Sequence, residues 1–545
     1  MFPQRLALTI GLLSPCWGLF STVAIAAGGP TEVAAKVDKI LRSEAPFVSA
    51  GQASPGRISD ELFLRRISLD VIGRLPTPQE ITAFVLDPAA DKRSRQVGKL
   101  LADSRYGENW GRYWRDVIMY RKSEERAQIV AGSLEQYLVE SFNQNKPWSQ
   151  VATDFITASG DATENGACAL IIAQQGQPEE TAAEISRIFL GVQISCAQCH
   201  DHPTDRWKRE QFHELAAFFP RVASRIILQP ERRTIMVAVN DGPARQNFRP
   251  NNMRISGTPE HHMSDLKDPQ SKGTLTAPVF FATGEKLPLG TKDADRRATL
   301  ARWMTDKANP FFAKAFVNRL WSELCGEGFY EPVDDIGPDR DCIAPTTLDY
   351  LAGEFAASGY DVKWLMSVIA ATEMYQLPAA PRRGPEEAPF QANVAQRLRA
   401  DQLFDNLLQA LAASEPVSAG PPGAGGYRFA RGPRQQFSVA FGYDPSQRRD
   451  EVASSIPQAL VMMNGQVINA SLRASGRTML ARLVTEIQDD ETLVQELYLR
   501  ALARNASQSE LTTCLLYVKE VANRGEAFED ILWTLMNSTE FLHRS

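Results

Sequence analysis

The sequence predicts a mainly α-helical protein, built as two helical domains with a smaller β-containing connector between them. Three observations predict it. Apolar residues recur at three- and four-residue spacing before about residue 221 and again from about residue 296. Capping residues and glycine stops bracket many of those runs. Between 222 and 290, β-branched residues and turn signals take over. A chain of 545 residues is also too long for one core of ordinary size, which implies two or three domains. With 43% hydrophobic and 23% charged residues, the composition is that of a globular protein.

The elements follow in order. Residues 1–27 read as an export signal: Arg5 closes a short basic start, Leu6 to Ile25 is almost uncharged, and Ala24-Ile25-Ala26 offers the small-x-small cleavage pattern. No later segment is apolar enough to span a bilayer, so the mature chain is expected to be periplasmic or extracellular, or anchored only by its N-terminus. A first helical domain spans 31–221. In it, Thr77-Pro78-Gln79-Glu80 forms a capping box with proline at the first helical position. Ser133 is expected to cap the helix carrying Leu134, Tyr137, Leu138 and Phe142. Trp110, Tyr113 and Trp114 at helical spacing read as core packing before cofactor lining. A helix over Glu180 to Ile194 buries Ile185, Ile188, Phe189 and Val192. Asp201-His202-Pro203 breaks it, and Thr204 or Asp205 can cap the next helix, whose apolar face is Phe212, Leu215, Ala216 and Phe219.

The connector, 222–290, contains Ile226-Ile227-Leu228, Thr234 to Val239 with the turn Asn240-Asp241-Gly242, and Pro278-Val279-Phe280-Phe281. The second helical domain, 291–545, has one face of Leu300, Trp303 and Met304. The next face is Phe312, Phe316, Leu320 and Leu324, stopped by Gly326, and a third is Leu348, Leu351 and Phe355 before Gly359. Pro416 to Gly426 reads as a loop, and helices resume near Ser455.

Chemistry concentrates at Cys196-Ala197-Gln198-Cys199-His200. Two thiols three residues apart with an imidazole directly after them is the arrangement of c-type haem attachment, with His200 as proximal iron ligand. With 7 Cys and 6 His in the chain, chance supplies about 0.001 such motifs. Candidates for the distal iron position are Met236, Met253, His261, His262 and Met263. Zinc is the rival: Cys196, Cys199, His200 and His202 offer sulfur and nitrogen ligands, but His200 and His202 follow too closely for all four to reach one tetrahedral ion, so zinc would need a distant fourth ligand such as His213. A thiol–disulfide centre fits less well, since no thioredoxin-like βαβ pattern surrounds the site. Cys168, Cys325, Cys342 and Cys514 remain; Cys325 and Cys342 either pair or stay free thiols.

The formal net charge of −6 gives no footprint for nucleic acid, and Arg232-Arg233 and Arg382-Arg383 read as short solvated clusters. The acid pairs Asp334-Asp335, Glu179-Glu180 and Asp489-Asp490-Glu491 are likewise expected on solvated surfaces. No nucleophile elbow, phosphate loop or H-E-x-x-H occurs, so an enzyme assignment is left open.

Phe189-Leu190-Gly191-Val192-Gln193, the run Cys196 to Pro203 and Leu215-Ala216-Ala217-Phe218-Phe219 resemble the planctomycete cytochrome-like domain of unknown function. Leu64-Arg65-Arg66-Ile67-Ser68-Leu69-Asp70, Gly73 to Pro78 and Tyr106-Gly107-Glu108 carry the same resemblance upstream. Asp295-Arg296-Arg297-Ala298, Asn309-Pro310-Phe311, Val317-Asn318-Arg319-Leu320-Trp321 and Asn537 to Leu542 resemble its usual C-terminal companion domain. The resemblance implies a cytochrome-like chain but no established reaction. The expectation is an exported c-type haem protein for electron transfer or haem redox chemistry, working with an unidentified redox or envelope protein partner. The alternative is an extracytoplasmic enzyme or interaction protein acting on envelope or extracellular polymers, with the cysteine motif structural or zinc-bound.

Overall fold

Helices begin where side chains can satisfy their first N–H groups. In a computed structural model that describes residues 27–45, 56–122, 125–229, 232–241, 260–382, 384, 389–415, 432–452 and 455–545, the Pro78–Leu86 helix opens on the expected capping box. Thr77 Oγ1 accepts from Glu80 N–H at 3.3 Å, and the Glu80 carboxylate accepts from Thr77 N–H at 2.9 Å. The segment expected to be an export signal, to residue 26, with Met253, Gly242, Arg383 and the run 416–426, lies outside the described residues. Among the described residues, twenty-four α-helices against sheets of two or three strands make the protein mainly α. Gly326 and Gly359 stop the Phe312–Cys325 and Pro345–Ala357 helices in left-handed conformation (φ 84° and 77°).

Two elements differ from expectation. The helix carrying Leu134 starts at Ala131, directly after a 3₁₀ turn Glu125–Val130, so Ser133 lies inside its first turn and does not cap it. The helix before the cysteine motif ends at Leu190 rather than Ile194, for a reason given below.

Val222–Gln229 and Arg232–Val239 form the expected antiparallel hairpin, and Gly160–Asp161 adds a third strand beside Val237 and Met236. Two smaller hairpins, His261–Met263 with Thr274–Thr276 and Val279–Phe280 with Glu285–Lys286, follow among the described residues of 222–290.

One contiguous apolar core runs from Val33 to Phe541. At its centre Phe316 stacks on Trp114 (centroids 5.7 Å, planes 5° apart) and on Phe355, with Trp148 against it at 4.5 Å. Trp110, Tyr113 and Trp114 are thus packing residues of this core. The first described helix, Pro30–Glu44, lies against Pro345–Ala357 and Val362–Ala371, so the two halves of the chain share an interface.

Buried arginines tie that interface together. Arg65 donates to the carbonyls of Glu540 and His543, and Arg66 to those of Tyr375, Leu377 and Ser545. Burial pushes both guanidiniums down to about 10, so they remain charged at neutral pH. Asp70 takes Arg544 Nε at 2.6 Å and the Tyr375 hydroxyl at 2.7 Å. Arg544 also reaches Asn393 Oδ1 at 2.9 Å and the Leu324 carbonyl. Cys325 is buried beside these groups and Cys342 is half-buried; both are free thiols, so the Cys325–Cys342 pairing does not form.

Asp38, on the buried side of Pro30–Glu44, accepts from Glu373 N–H at 2.9 Å, and burial pushes its carboxyl up to about 7. The folded state therefore binds a proton that the unfolded chain releases near pH 4, and stability falls as pH rises from about 4 through 7. Asp38→Asn keeps the acceptor without the charge. It is expected to match the parent below pH 4 and exceed it at pH 8 by up to ~4 kcal/mol in urea titrations; equal stability at both pH values would refute this.

Candidate functional site

The cysteine motif hangs from a helix that both halves of the chain grip. Pro178–Ile185 continues through one π-type turn, Ser186–Leu190, and stops at Gly191 with φ 67°. A Cβ on Gly191 would meet Ile336 Cδ1 at 2.8 Å and Ala315 Cβ at 3.2 Å, so the close approach of the second half forces the early stop. Ile336 N–H donates to the Gly191 carbonyl at 2.7 Å, and Ser186 Oγ to that of Val192 at 3.0 Å. Gln193 Nε2 reaches Asp334 Oδ1 at 3.0 Å. Arg187 is buried between Glu184 (2.6 Å) and Asp334 (3.1 Å). Asp334 is therefore buried and paired, not a solvated surface acid; Arg319 (3.5 Å) and Arg187 hold its carboxyl below the usual range against the cost of burial. Arg382, expected in solvent, is likewise held between Glu331 at 3.2 Å and Asp450 at 2.8 Å.

The motif itself opens on a separate 3₁₀ turn, Ile194–Ala197. Ile194 and Ala197 are buried and anchor it, while Cys196, Cys199 and His200 face outward, both cysteines as free thiols. His200 Nδ1 lies 2.7 Å from the Asp201 carbonyl. A carbonyl only accepts, so Nδ1 carries a proton, and in the neutral ring the lone pair is on Nε2. His202 is engaged differently: its N–H donates to the Trp207 carbonyl at 2.8 Å, and its Nδ1 accepts from Thr204 N–H at 3.3 Å. Asp201, rather than Thr204 or Asp205, serves the next helix, Arg209–Ala216: it accepts Arg209 N–H at 3.2 Å and Lys208 Nζ at 2.7 Å. The Lys208 bond and then the Arg209 N–H hold the Asp201 carboxyl below its ordinary range. Phe212, Leu215, Ala216 and Phe219 are buried as expected.

Residues 334–340 of the second half brace the loop after the motif. Arg206 pairs with Asp339, and Arg340 Nη2 donates to Thr204 Oγ1 at 2.9 Å. Gly337 passes so close that a Cβ there would collide with the Asp205 carboxylate. Trp207 packs on Phe281 (5.1 Å) and Phe311 (5.9 Å). Nothing in the local sequence around 196–200 announces these partners. The Asp334-Asp335 pair was the one visible sign, and it read as surface.

The other named donors are dispersed. Met236 sits on the three-stranded sheet, in register with Asp161 and Arg225. His213 and His261 are buried against each other, His213 Nδ1 to His261 Nε2 at 2.9 Å, and His213 Nε2 lies 3.0 Å from the Gln198 carbonyl. Burial holds the pKa of His213 below its ordinary value and pushes that of His261 down to about 3, with His213 and His262 adding to the latter. Strand alternation puts His262 with its partner Leu275 on the opposite face of the hairpin, and Met263 on the same face as His261. Among the described residues, no three or more His, Cys, Asp or Glu side chains converge as a metal cage. The site does offer two exposed thiols three residues apart and an imidazole with a free Nε2, a donor set that fits a c-type haem. No described helix is long and apolar enough to cross a membrane.

Two family models match the chain. Residues 36–224 match PSCyt2, described as a protein of unknown function (DUF1549), and residues 296–518 match PSD1, described as a protein of unknown function (DUF1553). Neither a curated protein nor a solved structure matches. The first match holds the cysteine motif and its supporting helix, and the second holds the 334–340 brace. With both in this order, the chain carries a PSCyt2 domain, the cytochrome-like one, followed by its C-terminal companion, a PSD1 domain.

Proposed function

We propose that this protein is an exported c-type haem protein, periplasmic or extracellular, serving electron transfer or haem-based redox chemistry with a redox or envelope protein partner. The carrying observation is the display of Cys196 and Cys199 as free thiols beside a His200 whose Nδ1 is committed to the Asp201 carbonyl. Bound haem would supply a one-electron iron couple. Each cysteine would be joined by addition of its S–H across a porphyrin vinyl group: the C–S bond forms at one carbon and the hydrogen goes to the other, with no net oxidant or reductant.

The chain's own residues account for the rest. His200 would hold the iron through Nε2 as proximal ligand, and the Nδ1–H bond to a carbonyl would fix its tautomer and raise its basicity. Asp201, pinned by Lys208 and Arg209, keeps that carbonyl in place. Met236, Met253, His261, His262 and Met263 stay the distal candidates.

Purified from a host competent in haem maturation, the denatured chain is expected to keep stoichiometric haem through acid–acetone extraction. A colourless chain carrying zinc by elemental analysis would overturn this in favour of a metal-held motif in an envelope-directed enzyme or interaction protein.

A further inference from the structure

Gln198 lies between the two cysteines, so the direction of its peptide carbonyl bears on how the two thiols are presented. That carbonyl has two partners, Arg209 Nε at 3.3 Å and His213 Nε2 at 3.0 Å. His213 is 3% exposed and its other nitrogen faces His261 Nε2 at 2.9 Å; His261 is 4% exposed. Two buried imidazoles this close to each other stay neutral, and a neutral ring carries one N–H.

The carbonyl settles where each proton sits. If His213 were protonated on Nδ1, its Nε2 lone pair would face the carbonyl oxygen, two acceptors in contact without water. The proton is therefore on Nε2. His213 Nδ1 must then accept, which requires His261 to donate from Nε2. His261 Nδ1 is left bare, in keeping with the 3.9 Å gap to Glu179 Oε1, which is too long for a hydrogen bond. Arg209 extends the same tie, since its Nη2 donates to the Ser264 carbonyl at 2.6 Å, three residues beyond His261.

We propose that His213 and His261 are positioning residues for the Cys196–Cys199 turn: the His261 donor fixes the His213 tautomer, and His213 fixes the Gln198 carbonyl. The assignment spends both nitrogens of His213 inside the protein and removes His213 from the metal donors, while His261 keeps only Nδ1 as a lone pair. It holds whether the turn carries haem, a metal or free thiols, so it does not rest on the proposed function.

The test uses the full chain. His261→Gln keeps an N–H near the place of Nε2, whereas His261→Leu fills the space without a donor. Histidine-selective ¹⁵N NMR is expected to show His213 protonated on Nε2 in the parent and in the Gln variant. Hydrogen exchange over residues 194–207, where Gln198 N–H bonds Ser195 and His202 N–H bonds Trp207, is expected to quicken about five-fold in the Leu variant and to return to the parent rate in the Gln variant. A parent His213 protonated on Nδ1 overturns the proposal. So does a Leu variant that exchanges at the parent rate, or a Gln variant that exchanges as fast as Leu, which would make the role one of packing. Should the Leu variant fail to fold, the parent tautomer decides alone.

Discussion

Arg544→Ala should cost about 3–5 kcal/mol of stability, the usual penalty for stranding one member of a buried ion pair. Arg544 is 1% exposed, and its guanidinium serves Asp70, Asn393 and the Leu324 carbonyl at once. Removing it leaves the Asp70 carboxylate with the Tyr375 hydroxyl alone. The loss extends to the short strand His543–Arg544, which pairs with Gln396–Arg397 and supplies the His543 carbonyl to Arg65. Adding Asp70→Asn to the same chain should recover part of the loss, because the stranded charge is then gone. Denaturant midpoints of the parent, both single variants and the double variant measure this. A single-variant loss under ~1 kcal/mol would place the pair among those worth little.

His200→Ala and His202→Ala should separate sharply although only one residue stands between them. His200 presents Nε2 outward, while His202 is folded into its own turn by bonds to Thr204 and Trp207. If haem is attached, His200→Ala should abolish the normal proximal ligation, moving the absorption spectrum and the midpoint potential strongly. His202→Ala should leave the spectrum nearly intact and lower stability by about 1 kcal/mol, the worth of a local hydrogen bond. Haem and zinc content measured side by side decide it. Equal loss of zinc from both variants would favour a metal cage using both imidazoles, and equal loss of haem would contradict the roles assigned here.

What the sequence disclosed was what local chemistry controls. Thr77 and Glu80 are three residues apart and make their bonds to each other, so their box is readable at sight. Gly326 and Gly359 end helices through their own backbone freedom. The apolar face Phe212, Leu215, Ala216 and Phe219 follows from helical period alone. The early stop at Gly191 has another origin, since the obstacle is Ile336, 145 positions later in the chain. Asp334 looked like half of a surface pair because Arg187 and Arg319 reach it only through the fold. For the same reason the sequence offered His213 and His261 separately as metal donors. Their mutual bond joins residues 48 apart and is visible only in three dimensions.

The arginines of the Asp60–Ile72 helix also set a timetable. Arg65 finds its acceptors 475 and 478 positions downstream. At ordinary rates of synthesis those carbonyls emerge roughly 25–95 s after the arginine does. Until then Arg65 has no acceptor and Asp70 lacks Arg544, although Tyr375 and Leu377 are already there for Asp70 and Arg66, so their helix cannot complete its docking, and the core that depends on it stays open. Contacts of such long range also make closure slow. A nascent chain held open in this way remains threadable for as long as translation lasts, a property that passage through a membrane channel before folding would use.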